Sequence, residues 1–490
     1  MPSAFPRPGA LYALAWAGVL LSAVPGFGLA GDAAGLALLL FLLREWPRQR
    51  SYARAVFLGF TAAGLAGIAF AARRGADPLI LFVAGWRRGA AYAAFYFALS
   101  ALRDAAETSR LVRACGRQLI AQPAGRRYAA LAAGGHVFGI ILSYGAIDLL
   151  GAMITRADGA MITRADGAMI TRADGAMATR AEATHAARPP DRARRMLMAV
   201  FRGFCVMNCW SPLNVMTAVV STAVPSAPMA RLLPLGFLAA LGMGALGWLD
   251  DRLTFRRRPE SAAATPGGWA VHLRLIALVA LVMALAEAAG AALHLGLVTA
   301  VTLVVPLVAL GWVAVQLPAR GMRRAGVLAR RAGRFVARSP AFRAEATVLG
   351  SSGFLGVAIG AALPRVGVGA WLGGVPPILI PLAVPPILML TGQVGLNPIA
   401  VVAILGAALP DPAALGVPPA ALAFAAMLGW GLAVGVTPMS ASAITTARWL
   451  RVSPWRVSTV WNARYAAAAW LLASGAIAAV FLAARAFTAG

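Results

Sequence analysis

The sequence predicts an all-α polytopic membrane protein with about 10–13 transmembrane helices, since one span takes roughly 20 apolar residues. Three observations carry this expectation. Of 490 residues, 60% are hydrophobic and only 12% charged, with a mean hydropathy of +0.76; a soluble domain carries about 25% charged residues. The apolar residues come in continuous runs, not in the alternation of a membrane β-barrel. The arginines cluster in short stretches between those runs, as cytoplasmic loops require. Together these features exclude a soluble enzyme and a disordered chain, which needs low hydrophobicity. The formal net charge of +27 therefore implies the lipid bilayer as partner and not nucleic acid. Every basic side chain other than histidine is Arg. With abundant Ala, Gly and Pro, this reads as the coding bias of a GC-rich bacterial genome, and it places the chain in an inner (cytoplasmic) membrane.

Residues 1–127 hold the first membrane helices. Their opening apolar stretch has the length of a signal peptide, but more membrane sequence follows at once, so a retained span is expected. The run 79–102 carries Arg87 and Arg88 in its middle and resists assignment. Residues 128–258 form the core of a first half, into which an octapeptide array is inserted at 151–182. GAMITRAD occurs at 151, 159 and 167, followed by GAMATRAE at 175. A period of eight fits neither a heptad nor an eleven-residue repeat, and one Gly per unit costs a helix about 1 kcal/mol each. An exposed loop grown by recent duplication is expected. Residues 259–319 read as connecting membrane helices. Residues 320–344 carry eight arginines and no acid before Glu345, and read as the main cytoplasmic linker. Residues 345–490 form the core of a second half.

Few residues suggest covalent chemistry. Cys115, Cys205 and Cys209 are too few for a disulfide framework, and no neighbouring His completes a zinc site with them. They read as small buried residues. The lone His136 reads as a satisfied polar residue, and Asp250 and Asp251 as an interfacial cap. Without Lys there is no P-loop, and no nucleophile–base set is apparent, so the chain does not read as an enzyme. Asp148 and Glu287 lie in apolar runs, where an ionisable residue is functional by default; they are the candidates for ion coupling.

The more informative symmetry spans the whole chain. Ser211-Pro212 and Thr437-Pro438 each open a stretch rich in Ser, Thr and Asn, and in both a second proline, Pro228 or Pro454, follows 16 positions later. Upstream, His136–Gly145 and Asn397–Gly406 each set a polar residue nine positions before a glycine. The first half is longer between its landmarks by nearly the length of the array. Paired Pro- or Gly-broken apolar segments at matching positions point to a transporter's substrate site at the interface of two repeats. Helices kinked at proline, with hydroxyls bonded back to the preceding turn, account for each segment alone but not for the pair.

These residues resemble the ion transporter superfamily, which includes divalent anion–sodium symporters, citrate–metal symporters and the membrane subunits of tripartite transporters. Asn208, the Ser211-Pro212-Leu213-Asn214 stretch and Thr217 resemble the first hairpin tip and half-helix of that family. Thr437-Pro438-Met439-Ser440, Ser442 and Thr445 resemble the second, and Thr391–Pro398 a polar break. The resemblance covers about 120–490. It implies two inverted repeats with re-entrant hairpins or broken helices, and a secondary active transporter of small anions such as carboxylates, coupled to a sodium or proton gradient. Half-helix N-termini, worth about +0.5 charge each, with hydroxyls and amides, suit a small anionic substrate. Asn208, Asn214 and Asn397 are the side chains for a sodium ion, the one cofactor the reading admits. The substrate-binding set is thus Asn208, Ser211, Asn214, Thr217, Asn397, Thr437, Ser440, Ser442 and Thr445. A homodimer is compatible with this architecture. A membrane-embedded lipid or glycosyl transferase, or a non-transporting component of a larger assembly, are the alternative readings.

Overall fold

A computed structural model describes residues 7–156, 191–255, 269–317, 321–363, 367, 372–409 and 411–489. Every regular element among them is helical. Among the described residues seven helices are long and apolar enough to cross a membrane, and three more are apolar but shorter. The fold is that of an all-α polytopic membrane protein.

The chain opens with α1 (Pro8–Leu21), α2 (Leu29–Glu45), α3 (Ser51–Ala72) and the 30-residue α4 (Pro78–Glu107). Asp77 starts α4 by accepting from the amides of Leu79 and Ile80, with Pro78 in the first turn, where a missing N–H costs nothing. The stretch that resisted assignment is therefore one unbroken helix. Its Arg87 is accommodated by α2, where Gly31 leaves room for the guanidinium and Asp32 pairs with it at 3.6 Å. α5 (Arg110–Ile120) is amphipathic: Val112, Cys115 and Leu119 are buried while Arg110, Arg113 and Arg117 are exposed.

Next come α6 (Ala124–Leu142), a turn at 143–144, α7 (145–156), α8 (Asp191–Met207), a break at 208–214, the short α9 (Val215–Ala223) and α10 (Met229–Thr254). A connecting set follows: α11 (Ala270–Leu293), α12 (Leu297–Gln316), α13 (Gly321–Arg338) and α14 (Arg343–Ala362). The order of the first core then recurs as α15 (Leu379–Gln393), a turn at 394–397, α16 (Pro398–Ala408), α17 (Pro419–Val436), a break at 437–440, α18 (Ala441–Leu450) and α19 (Ala463–Ala489).

The chain runs in opposite senses through the two sets. Arg195, in the first turns of α8, makes paired bonds of 3.1 and 2.7 Å to Asp251 near the end of α10, and Arg464, at the start of α19, bonds Asp250 at 2.6 Å. These three helix ends share one side. α8 and its continuation α9 run away from it; α17 and α18 run back toward it to join α19.

Three details differ from the sequence reading. The basic linker is itself a helix, α13, because its arginines leave an apolar face: Phe335 and Val336 pack on the core while Arg331 bonds the Asp104 carbonyl at 3.2 Å and Thr108 at 2.8 Å. The octapeptide array starts inside α7. Ile154 is fully buried, and Gly151 lies so close to the Trp449 indole of α18 that a Cβ would come within 2.6 Å of it. The rest of the array, 157–182, lies outside the described residues. The upstream landmarks are also out of register, since His136 lies within α6 whereas Asn397 caps α16. The turns that match are 143–144 and 394–397, reversed by Ser143 at φ 52° and Gly395 at φ 85°.

α4 and α14 cross at glycines. A Cβ on Gly89 would sit 2.3 Å from the Gly350 carbonyl oxygen, and one on Gly353 2.6 Å from the Gly89 Cα. Small residues let membrane helices approach until their backbones touch. Gly89→Val is expected to cost about 1–3 kcal/mol by overpacking and to lower the thermal midpoint in detergent. Gly59→Val, at an open position on α3 with nothing within 4 Å, should leave that midpoint unchanged. Equal midpoints for the two variants would contradict the crossing.

Candidate functional site

Two helix breaks follow the packed helices α8 and α17, and each is built from the same order of residue types. Ser211-Pro212-Leu213-Asn214 and Thr437-Pro438-Met439-Ser440 both place a hydroxyl, a proline, an apolar residue and a helix cap in that order. The proline ring cannot continue a helical hydrogen-bond ladder, and the residue two positions later restarts it.

At the first break Asn208 Nδ2 donates to the carbonyls of Phe204 and Cys205, at 2.9 and 3.3 Å, where α8 ends. Asn208 Oδ1 accepts from Asn214 Nδ2 at 2.9 Å, and Asn214 Oδ1 accepts the Met216 amide at 2.8 Å to cap α9. Thr217 donates to the Ser211 carbonyl at 2.8 Å. The Ser211 hydroxyl is fully buried and has no hydrogen-bond partner among the described residues.

The second break draws its partners from farther away. Thr437 donates to the Ala433 carbonyl at 2.6 Å. The Val436 carbonyl accepts from Gln393 Nε2 at 2.7 Å, and the Gly435 carbonyl from Asn462 Nδ2 at 2.9 Å. Ser440 caps α18 by accepting the Ala443 amide at 3.1 Å, and its hydroxyl lies 3.1 Å from that of Ser442. Thr445 is buried on the same half-helix.

Glycines bring α8 and α17 together. The space a side chain would fill at Gly431 of α17 is taken by Cys209 Sγ, and Gly435 faces Cys205. α9 packs on α17, and α18 packs on α8. The return arm of each hairpin covers the half-helix of the other half: Gly406 of α16 lies on Ala223 of α9, as Gly151 lies on Trp449. Each half-helix starts at its break with a positive end. A cavity of ≈ 10 Å³ beside the breaks, lined by Cys205, Gly431, Gly435, Asn462 and Tyr465 among others, has room for about one water.

Of the residues expected in the site, Asn208, Ser211, Asn214 and Thr217 come together at the first break. Thr437, Ser440 and Ser442 come together at the second, with Thr445 one turn on. Asn397 stands apart from them, capping α16 through the Ile399 amide at 2.9 Å. Asp148 lies on α7, where it accepts from the Arg448 guanidinium and, at 3.2 Å, from the Trp449 indole. Glu287 is exposed on α11 and makes no ion pair among the described residues. The three cysteines are buried, and His136 accepts from the Trp210 indole at 2.8 Å.

Sequence reasoning missed the pair that props the second break. Arg202, buried in α8, donates to Asn462 Oδ1 at 2.9 Å, to Asp250 at 2.8 Å and to the Gly247 carbonyl at 3.3 Å. Its guanidinium also lies 4.5 Å from the centre of the Tyr465 ring. Asn462 passes this order on to the Gly435 carbonyl. Asp250 and Asp251 are accordingly the anchors of Arg202, Arg464 and Arg195, not a simple interfacial cap. The signal was present: a lone Arg202 inside the apolar run 197–225 needs a buried partner.

No family profile and no curated relative matches the chain. Among solved structures, the Alcanivorax borkumensis YdaH transporter, described as having an unusual topology, is similar over 96% of this chain and 98% of that one. The identity is 17% and the TM-score 0.44.

Arg202→Met strips Asn462 and Asp250 of a buried charged partner, a loss worth about 3–5 kcal/mol. Arg464, which is 62% exposed, should cost only about 0–1 kcal/mol when changed to Met. Thermal unfolding of the two variants in detergent separates them; a midpoint for Arg202→Met no lower than for Arg464→Met would show that the network is dispensable.

Proposed function

We propose that the chain is a secondary active transporter of small anions, driven by a sodium or proton gradient, with its substrate held where the two helix breaks meet. The observation that carries this reading is the pair of breaks: one four-residue pattern, used twice, in chain segments of opposite sense that pack against each other. In transporters, discontinuous helices of paired repeats form the substrate site near the bilayer midplane. Irregular backbone at that depth is tolerated only when protein or a water-filled cavity surrounds it. The recurrence of hairpin, broken helix and long helix supports two inverted repeats, as the resemblance to the ion transporter superfamily implies.

The chemistry of the breaks favours an anion. Two half-helix N-termini bring partial positive charge, and hydroxyls and amides donate without a large fixed charge. The unpartnered Ser211 hydroxyl is the first donor available to an incoming carboxylate. Asn214 and Ser440, each already at a helix start, orient the amides of the turn that follows. A sodium ion would be held on the carbonyl side of the first break, near Asn208. The basic ends of the helices support a cytoplasmic side at Arg195, Arg464 and α13, hence an inner-membrane orientation.

The test is uptake of labelled succinate, citrate and sulfate into proteoliposomes under an inward sodium or proton gradient. Uptake of at least one anion is expected, and an ionophore that collapses the gradient should abolish it. Asn214→Ala and Ser440→Ala are expected to lower uptake about tenfold, the worth of one hydrogen bond at ~1.4 kcal/mol. Their thermal midpoints should move only by the ~1 kcal/mol of a lost helix cap. Ser22→Ala, which removes a hydroxyl bonded to the Val19 carbonyl near the end of α1, should transport normally. Parent-like uptake by both break variants would sink the site assignment, and absence of any gradient-driven uptake would sink the function.

A further inference from the structure

One polar cluster lies away from the two breaks, at the turn of the first hairpin. Ser143 reverses the chain at φ 52°, and Tyr144 then reaches the helices outside the hairpin. The Tyr144 hydroxyl donates to Glu345 Oε1, in the first turn of α14. The Tyr96 hydroxyl of α4 lies 3.2 Å from that of Tyr144. Because the Tyr144 proton is committed to the carboxylate, Tyr96 is the donor of the second bond. Two hydrogen bonds in series thus end on one carboxylate, and each polarises the other.

The charges around it leave Glu345 without a counter-ion. Arg103 of α4 lies 5.1 Å from the centre of the Tyr144 ring but bonds Glu107 at 3.0 Å. Arg343, two residues before Glu345 on α14, is turned to Glu45 of α2 at 2.6 Å. Arg331 of α13 is engaged with Asp104, 3.4 Å away. Tyr12 of α1 is within electrostatic reach of Glu345, but its hydroxyl donates to the Ala93 carbonyl at 2.9 Å. Among the described residues no cation pairs with Glu345. Its charge is held by a tyrosine hydroxyl and the positive end of α14.

We propose that Glu345 is a proton-binding site that latches the first hairpin. Ionised, the carboxylate ties the hairpin turn to α4 and α14; protonated, it lets the turn go. Hydrogen bonds to an ionised acceptor are about twice as strong as neutral ones, so adding one proton weakens the Tyr144 bond directly and the Tyr96 bond through it. The proton adds to a carboxylate oxygen, and no other bond is made or broken. Among the described residues Glu345 meets two tyrosine hydroxyls in series, fewer oxygens than the roughly six a hard metal cation takes, whereas a proton needs only one carboxylate oxygen. This deepens the transport reading, on which it rests for the need to move a hairpin, by naming the proton as the coupling ion.

The test reads the turn directly in the purified full-length chain. Ser143→Cys is labelled with a maleimide at about pH 3.5 and about pH 7.5, which lie on either side of the ordinary glutamate value of about 4.3. Rates are divided by those of Ala23→Cys, in the exposed turn after α1, to remove the pH dependence of the thiol itself. The buried thiols at 115, 205 and 209 set the background. Normalised labelling is expected to rise about tenfold at the acid pH, as a population shift of the turn requires. Adding Glu345→Gln, which mimics the protonated group, should give the fast rate at both pH values, and so should Tyr144→Phe. A parent rate that does not change with pH overturns the proposal, as does a Glu345→Gln variant that keeps the parent's pH response. If Glu345→Gln does not fold, Tyr144→Phe decides by the same criterion. Labelling needs no substrate, so failure of the latch leaves gradient-driven uptake standing, and failure of uptake leaves the latch standing.

Discussion

A peptide group freed inside an apolar surrounding must find a partner or cost several kcal/mol. Most of what is distinctive in this fold follows from that requirement at two places. Proline ends the ladder in α8 and α17, and the carbonyls and amides released there cannot be left to water. Asn208 and Asn214 meet the need at the first break, and Gln393, Asn462 and Ser440 at the second. The glycines of α17 then let it lie against the end of α8 with only the small side chains of Cys205 and Cys209 between them.

The two breaks solve the same problem with different economies of chain. The first is closed from within by residues six positions apart, the Asn208–Asn214 pair. The second depends on a hairpin turn and on the foot of α19, and through Asn462 on a guanidinium carried by the other half. Displacement of the second hairpin would therefore reach the Val436 carbonyl at once. Displacement of the first would meet the tyrosine bonds to α4 and α14 instead. The two hairpins thus carry unequal restraints.

Much of the fold class was legible because hydropathy and arginine clustering are properties of composition. The two breaks were legible because a hydroxyl, a proline and a capping residue act on their own neighbours. What escaped was long-range. Arg202 and Asn462 are 260 residues apart, and Tyr144 and Glu345 are 201 apart; nothing near either residue announces the other. The basic linker hid a helix because charge dominated its reading, while the apolar face that seats Phe335 needed the turn-by-turn periodicity of α13. Arg87 was opaque for the opposite reason, since its tolerance depends on Gly31 and Asp32 of another helix. The array misled because its repetition suggested a uniform insertion, yet Gly151 and Ile154 of the first unit are packed as core.

The exchange of hairpin arms between halves bears on how the chain is made. Asp148 and Arg448, which help seat α7 on α18, are separated by 300 residues. At the pace of synthesis, about 5–20 residues per second, the second partner follows the first by tens of seconds. Throughout that interval the face of α7 that will receive Trp449 has no native neighbour, and α9 still waits for α16. Neither half can complete its own packing first. The contacts that seat α7 and α9 therefore form only after their partners in α18 and α16 have been synthesised.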